Sequence, residues 1–179
     1  MGEPRTRRLD AERPRGEEHL EFVTSLFADP EIARWHWPAA PGDGVETAAQ
    51  SREFHLGSIS HWEEHGYGWW LWRDRERDEL VARVGIAWTT VDGDPAVELG
   101  WSVPVADQGR GYATEAAIAS LAHAFAHIGL DEIVTFTWTE NTASRRVMEK
   151  SGFTFEREID HADLPHVLYS ARPATWTPP

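Results

Sequence analysis

The segment Gln108-Gly109-Arg110-Gly111-Tyr112-Ala113 stands where an apolar strand-like run, Ala96 to Val103, gives way to a helical one. Two glycines let the backbone approach a ligand closely. The first N–H groups of a helix lack intrahelical acceptors and lie at the positive end of its dipole. The segment is therefore suited to an anion, with Arg110 adding charge and Thr114 extending the donors; a plain tight turn is the bland alternative. It is not a P-loop, because no Gly-Lys precedes a Ser or Thr, and Thr114 stands where a dinucleotide fingerprint needs its third glycine. Glu98, on the strand that feeds this loop, is flanked by Val97 and Leu99, so alternation sends its carboxylate to the other face. By itself that is the place of a solvated residue on an exposed sheet face. A second run, Asn141 to Phe153, opens with an Asn suited to capping a helix and closes on Ser151-Gly152.

The elements that must position these residues follow from periodicity. Leu9, Ala11 and Arg13 alternate as a faint first strand, and Leu20, Val23 and Phe27 with Phe22 and Leu26 predict a helix over Glu17 to Ala28, stopped by Asp29-Pro30. A loop rich in Trp and Pro is expected next, then a helix from Glu46 to His65. Tyr67 to Trp72, Leu80 to Thr90 and Ala96 to Val103, parted by polar turns, predict an antiparallel meander. Gly111 to Ile128 predicts the best helix, with Ile118, Leu121, Ala122, Phe125 and Ile128 on its apolar face. With the strand Ile133 to Thr139 it makes a crossover between parallel strands. A short helix, Ala143 to Lys150, leads to strands near Phe153 to Ile159 and His166 to Ala171. One α/β domain over 1–179 is expected, with 1–8 and 173–179 fraying.

Composition narrows the function. Thirty acidic against seventeen basic residues leave a net charge of −13, which repels a phosphate backbone and favours cationic partners at long range, so no nucleic acid is expected. No apolar run is long enough for a membrane span, and the first fifteen residues lack the apolar core of a secretory signal, so a cytoplasmic location is expected. With no Cys there is no thiolate metal site and no thiol nucleophile. His61-Trp62-Glu63-Glu64-His65 matches a zinc-protease pattern, but nothing indicates a third ligand, so no metal is expected. No Ser-His pair stands at a recognisable spacing. Of the ten Trp, Trp69, Trp70, Trp72 and Trp88 fall on strands and are expected to pack.

Taken together, Gln108-x-x-Gly111-x-Ala113 and Asn141-x-x-Ser144-x-x-Val147-Met148-Glu149-Lys150-x-Gly152-Phe153 resemble the GNAT superfamily of N-acetyltransferases, in particular its RimJ and RimL branch. The resemblance implies an α+β fold with a mixed, mostly antiparallel sheet whose central strands splay apart, and helices on both faces. It implies transfer of an acetyl group from acetyl-CoA to a primary amine, either a protein α-amine or a small cationic amine. Trp101 to Val103 would hold the pantetheine arm, and Gln108 to Thr114 the pyrophosphate. Glu98 would be the base and Ser144 the acid, with Asn141 beside it, since Met148 stands where many relatives carry Tyr. Trp35, His36, Trp37 and Trp101 would wall the acceptor, and the protein would be a monomer or homodimer. A CoA-binding sensor of the same fold without turnover is the rival expectation.

Overall fold

A computed structural model of the chain describes residues 2–36 and 48–179. Seven strands form one sheet in the order β1-β2-β3-β4-β5-β7-β6. The strands are β1 (Leu9–Glu12), β2 (Trp69–Asp74), β3 (Glu79–Val91), β4 (Asp94–Ser102), β5 (Ile133–Trp138), β6 (Thr154–His161) and β7 (Leu164–Ala171). All neighbours are antiparallel except β4 and β5, which run parallel and share one registered pair, Glu98 with Val134. The helices are α1 (Leu20–Ala28), α2 (Pro30–His36), α3 (Ala48–His65), α4 (Tyr112–His123) and α5 (Thr142–Lys150). This is the mixed, mostly antiparallel sheet expected, and the strand boundaries fall within a few residues of the periodicity. Among the described residues, no helix is long and apolar enough to cross a membrane.

Strand alternation divides the packing between two faces. Trp70, Trp72, Val84, Ile86 and Leu99 turn towards α4 and α5, where Leu121 and Met148 complete a fully buried core. Leu71 turns the other way, against Val23, Leu26 and Phe27 of α1 and Ile32 of α2. Each buried indole also finds an acceptor: Trp72 donates to the Val84 carbonyl at 3.0 Å, and Trp62 to the Trp69 carbonyl at 2.8 Å.

Two local expectations give way to the fold. Asp29-Pro30 restarts a helix instead of opening a loop: Asp29 Oδ1 accepts from the Glu31 N–H at 2.9 Å, and Pro30 takes the first helical position, where its missing N–H costs nothing. On α4 the buried face is Ala116, Ala117, Ser120 and Leu121, while Ala122 is exposed. Its continuation, Ala124–Ile128, is a π-helical turn, which rotates the register away from the simple period. At the termini, where fraying is expected, Thr6 donates to Glu115 at 2.5 Å, Arg8 pairs with Glu115 at 2.6 Å, and Trp176 donates to the Ser151 carbonyl at 2.8 Å.

Gly85 is required by close approach. A Cβ there would lie 2.3 Å from the Trp69 Cα and 2.6 Å from the Gly68 carbonyl oxygen, both backbone atoms at the start of β2. Gly85→Ala is expected to destabilise the protein by about 1 to 3 kcal/mol, as overpacking does, and a lower midpoint in urea unfolding is the check.

Candidate active site

Because β4 and β5 part after their one registered pair, a cleft passes through the sheet, with a volume of about 660 Å³. Its two halves lie on opposite faces. On the α4 side it is walled by Val103, the loop from Gln108 to Thr114, and the first turns of α5; on the α1 to α3 side it is walled by Trp35, His36, Phe54, Trp69, Arg83 and Glu98.

The α4 half has the shape of an anion cradle. Gly109 and Gly111 adopt φ of 76° and 82°, in the left-handed region that glycine enters without steric cost, and Gly111 is the residue before the helix. No side chain caps α4, so the N–H groups of its first turn, from Tyr112 to Thr114, remain directed at the cleft end of the helix. Gln108 donates to the Val103 carbonyl at 3.2 Å and ties the loop to the strand end. The Tyr112 side chain turns inward, where its hydroxyl donates to Asp74 at 2.5 Å, so only its backbone serves the cradle. Arg110 does not line the cleft; its guanidinium lies 3.7 Å from Asp107 and more than half exposed. The cations that line this half are Arg146 and Lys150, one turn apart on α5. Their i, i+4 spacing was legible beside the Asn141 to Phe153 motif, although the motif itself assigns them no role.

Asn141 and Ser144 stand at the start of α5. Asn141 is buried, accepts from the Ser144 N–H at 3.1 Å and donates to Thr137 Oγ1 at 3.1 Å, so its side chain locks α5 to the end of β5. With the cap supplied by Asn141, the Ser144 hydroxyl makes no hydrogen bond among the described residues and lies in the cleft wall.

The other half is organised around β2, β3 and β4. Trp69, Gly85 and Gly100 lie in one row across these strands, and the Trp69 ring covers Gly100 so closely that a Cβ there would meet it at 2.6 Å. Glu98 Oε1 would lie 3.6 Å from the same Cβ, which places the carboxylate beside the indole. In the next row, Arg83 pairs with Ser102 across the strands. Arg83 is 2% exposed; its guanidinium carbon lies 3.8 Å from the centre of the Trp69 ring and 4.4 Å from that of Phe54, and it donates to Ser58 at 3.1 Å. Desolvation by the cleft walls pushes the Glu98 pKa from an ordinary 4.5 up to about 7, against the opposing pull of Arg83. His36, desolvated and close to Arg83, is pushed down to about 4 and is therefore neutral.

Trp35 and His36 line the cleft, on α2 instead of a loop, and Trp35 meets Trp138 edge-on at 5.8 Å. Trp37 lies outside the described residues. Trp101 belongs to the other half: alternation along β4 gives it the face of Leu99 and Val103, so it packs on the core beside the cradle and not with Trp35. Sequence reasoning missed three wall residues, Trp69, Arg83 and Trp138, because strand periodicity offers no sign of which residues lie over glycines. It also missed a Ser-His contact. His36 Nε2 and Ser102 Oγ are hydrogen-bonded at 2.8 Å, 66 residues apart in the chain. The discounted zinc pattern is otherwise occupied, since His61 Nδ1 donates to the Tyr67 carbonyl at 2.8 Å and its Nε2 accepts from the Trp88 N–H at 3.1 Å.

An anion cradle and a carboxylate of raised proton affinity face each other through the splayed sheet. Residues 8–154 match the acetyltransferase (GNAT) domain, and the chain belongs to that family. It is 31% identical over 147 residues to the FsC-acetyl coenzyme A-N(2)-transacetylase of Aspergillus fumigatus, a match covering 79% of this chain and 60% of that protein. Among solved structures, the GNAT-family acetyltransferase from Bacillus anthracis superposes with a TM-score of 0.76 at 24% identity, over 94% of this chain and 97% of the other. RimJ of Mycobacterium smegmatis, in complex with a CoA disulfide, superposes with a TM-score of 0.73 at 20% identity, over 93% and 86%.

The raised Glu98 pKa has a consequence for stability. The unfolded chain gives up this proton near pH 4.5 and the folded one near 7, so between those values the folded state holds more protons and stability falls as pH rises. Glu98→Gln mimics the neutral acid. Its melting temperature is expected to match the parent near pH 4.5 and to exceed it at pH 8; an offset independent of pH in calorimetry would show that the carboxyl is not desolvated.

Proposed function

We propose that this chain is an acetyl-CoA-dependent N-acetyltransferase of the RimJ and RimL type, transferring acetyl directly to a primary amine. The observation that carries this is Glu98: a carboxylate with a pKa near 7, on the acceptor side of a cleft whose other side is an anion cradle. An amine is protonated at neutral pH, and a base of matched affinity in the cleft is what makes it a nucleophile.

The residues present fit the donor. The backbone of Trp101 to Val103, at the parting of β4 and β5, accommodates an extended arm as an added strand would. The N–H groups of Gln108 to Thr114 hold phosphate oxygens, with Arg146 and Lys150 adding charge. When bound, acetyl-CoA supplies an acetyl group activated as a thioester. Glu98 takes the amine proton, directly or through water, and Ser144 Oγ provides the proton donor that Met148 cannot. Asn141 positions Ser144 by holding the first turn of α5. The RimJ complex and the Aspergillus transacetylase support this use of CoA by likeness.

Direct transfer is favoured over an acyl-enzyme despite the Ser102-His36 contact. Desolvation against the cleft wall and the charge of Arg83 both lower the proton affinity of His36, which weakens it as a base. Glu98→Gln is expected to lower kcat about 100-fold with acetyl-CoA affinity unchanged, and Ser144→Ala about 10-fold, measured by thiol release. An acetyl group found on Ser102 by mass spectrometry after reaction with acetyl-CoA alone would overturn direct transfer.

A further inference from the structure

We propose that Arg8, in the segment before β1, is a positioning residue for the anion cradle: its guanidinium fixes the peptide between Arg110 and Gly111 so that the Gly111 N–H faces the cleft. This rests on the reading of the cradle as the site of the acetyl-CoA phosphates.

The loop does not orient itself. Glycine adopts either sign of φ at little cost, and both Gly109 and Gly111 have positive φ here, so local sterics leave the peptide between Arg110 and Gly111 free to face either way. The choice matters, because a trans peptide points its C=O and its N–H in opposite directions. With the carbonyl inward the loop repels a phosphate; with the N–H inward it donates to one. Arg8 decides between them. Its Nη1 donates to the Arg110 carbonyl at 3.1 Å. Gly111 lines the cleft while Arg8 and Arg110 do not, so the carbonyl is drawn outward and the Gly111 N–H is turned in.

The guanidinium is itself held in place. Its Nε donates to Glu115 Oε2 at 2.7 Å, Nη2 lies 2.6 Å from the same carboxylate, and the guanidinium carbon stands 5.0 Å from the centre of the Tyr112 ring. A Cβ on Gly111 would lie 3.6 Å from Nη2, so the side chain rests against the loop. The Arg8 backbone is fixed as well: its carbonyl accepts from the Arg75 N–H at 2.9 Å, and its N–H reaches Thr6 Oγ1 and Glu115 Oε1, each at 3.2 Å. A rigid planar fork serves a carboxylate and a carbonyl at once, which the compact ammonium of a lysine does not reproduce. Arg8 also offsets a charge. Glu115 is the acidic residue in the first turn of α4, and its carboxylate without a cation beside it repels an anion at that helix start.

Arg8→Lys separates orientation from charge, since it keeps a cation beside Glu115 and loses the fork. Calorimetric titration with CoA is expected to give a Kd about 10-fold higher in Arg8→Lys than in the parent, and higher still in Arg8→Met, which removes the cation too. A spectroscopic readout distinguishes positioning from general loosening. In glycine-labelled protein, CoA is expected to move the Gly111 amide proton downfield in the parent and to leave it nearly in place in Arg8→Lys, with the Gly85 amide in the middle of the sheet the same in both. Unchanged CoA affinity in Arg8→Lys, or a Gly111 amide that moves as in the parent, overturns the inference and leaves the transferase standing. A Gly111 amide that CoA does not move in the parent overturns it without any variant. A parent that binds no CoA overturns the transferase reading and the inference with it.

Discussion

The cleft of this molecule depends on the parallel meeting of β4 and β5 in an otherwise antiparallel sheet. A parallel pair cannot be joined by a tight turn, so the chain must cross over through α4, and the crossover places the start of that helix at the end of β4. With one registered pair, Glu98 with Val134, the two strands then diverge, leaving strand-end backbone without a neighbour and a passage between the faces. β1 to β4 on one side and β5, β7 and β6 on the other are each antiparallel ladders. Opening the sheet at the junction therefore costs little elsewhere.

The passage joins two unlike environments. At the donor end the helix start and two glycines present uncapped N–H groups, and Arg146 and Lys150 stand nearby. At the other end the sheet floor is made flat by Gly85 and Gly100, and Trp69 lies across that floor because neither residue has a side chain to displace it. Its carbonyl is held in turn by the Trp62 indole of α3. The buried Arg83 stacks on Trp69, and the walls that exclude water raise the proton affinity of Glu98 and lower that of His36. Desolvation thus raises the proton affinity of a carboxyl and, together with Arg83, lowers that of an imidazole in the same half of the cleft.

The positions that local patterning misjudged share an explanation. Asp29-Pro30 reads as a stop, yet the Asp29 side chain and Pro30 also satisfy the requirements of a helix start, and packing of Ile32 and Ala33 decides for the helix. Trp69 reads as an ordinary alternating strand residue until its partners across the strands are known to be glycines. Trp101 has the composition of an acceptor wall but the strand parity of the donor side. Ser102 and His36 come from elements 66 residues apart and meet only when α2 docks over β4.

By itself the sequence determined the order and type of the elements, the glycine loop at the helix start, the capping Asn141 with Ser144 in the following turn, and Glu98 as a carboxylate on the face opposite Val97 and Leu99. These are local properties, set by backbone sterics and by the periods of helix and strand. Tertiary structure decided that Glu98 lies in an aromatic cleft, that Arg83 shares it, that Tyr112 turns inward to Asp74, and that Arg146 and Lys150 flank the cradle in place of Arg110. Proton affinity and charge balance depend on which side chains and how much water surround a group, and those neighbours are brought together by strand register across the sheet and by helix docking, neither of which any short stretch of sequence contains.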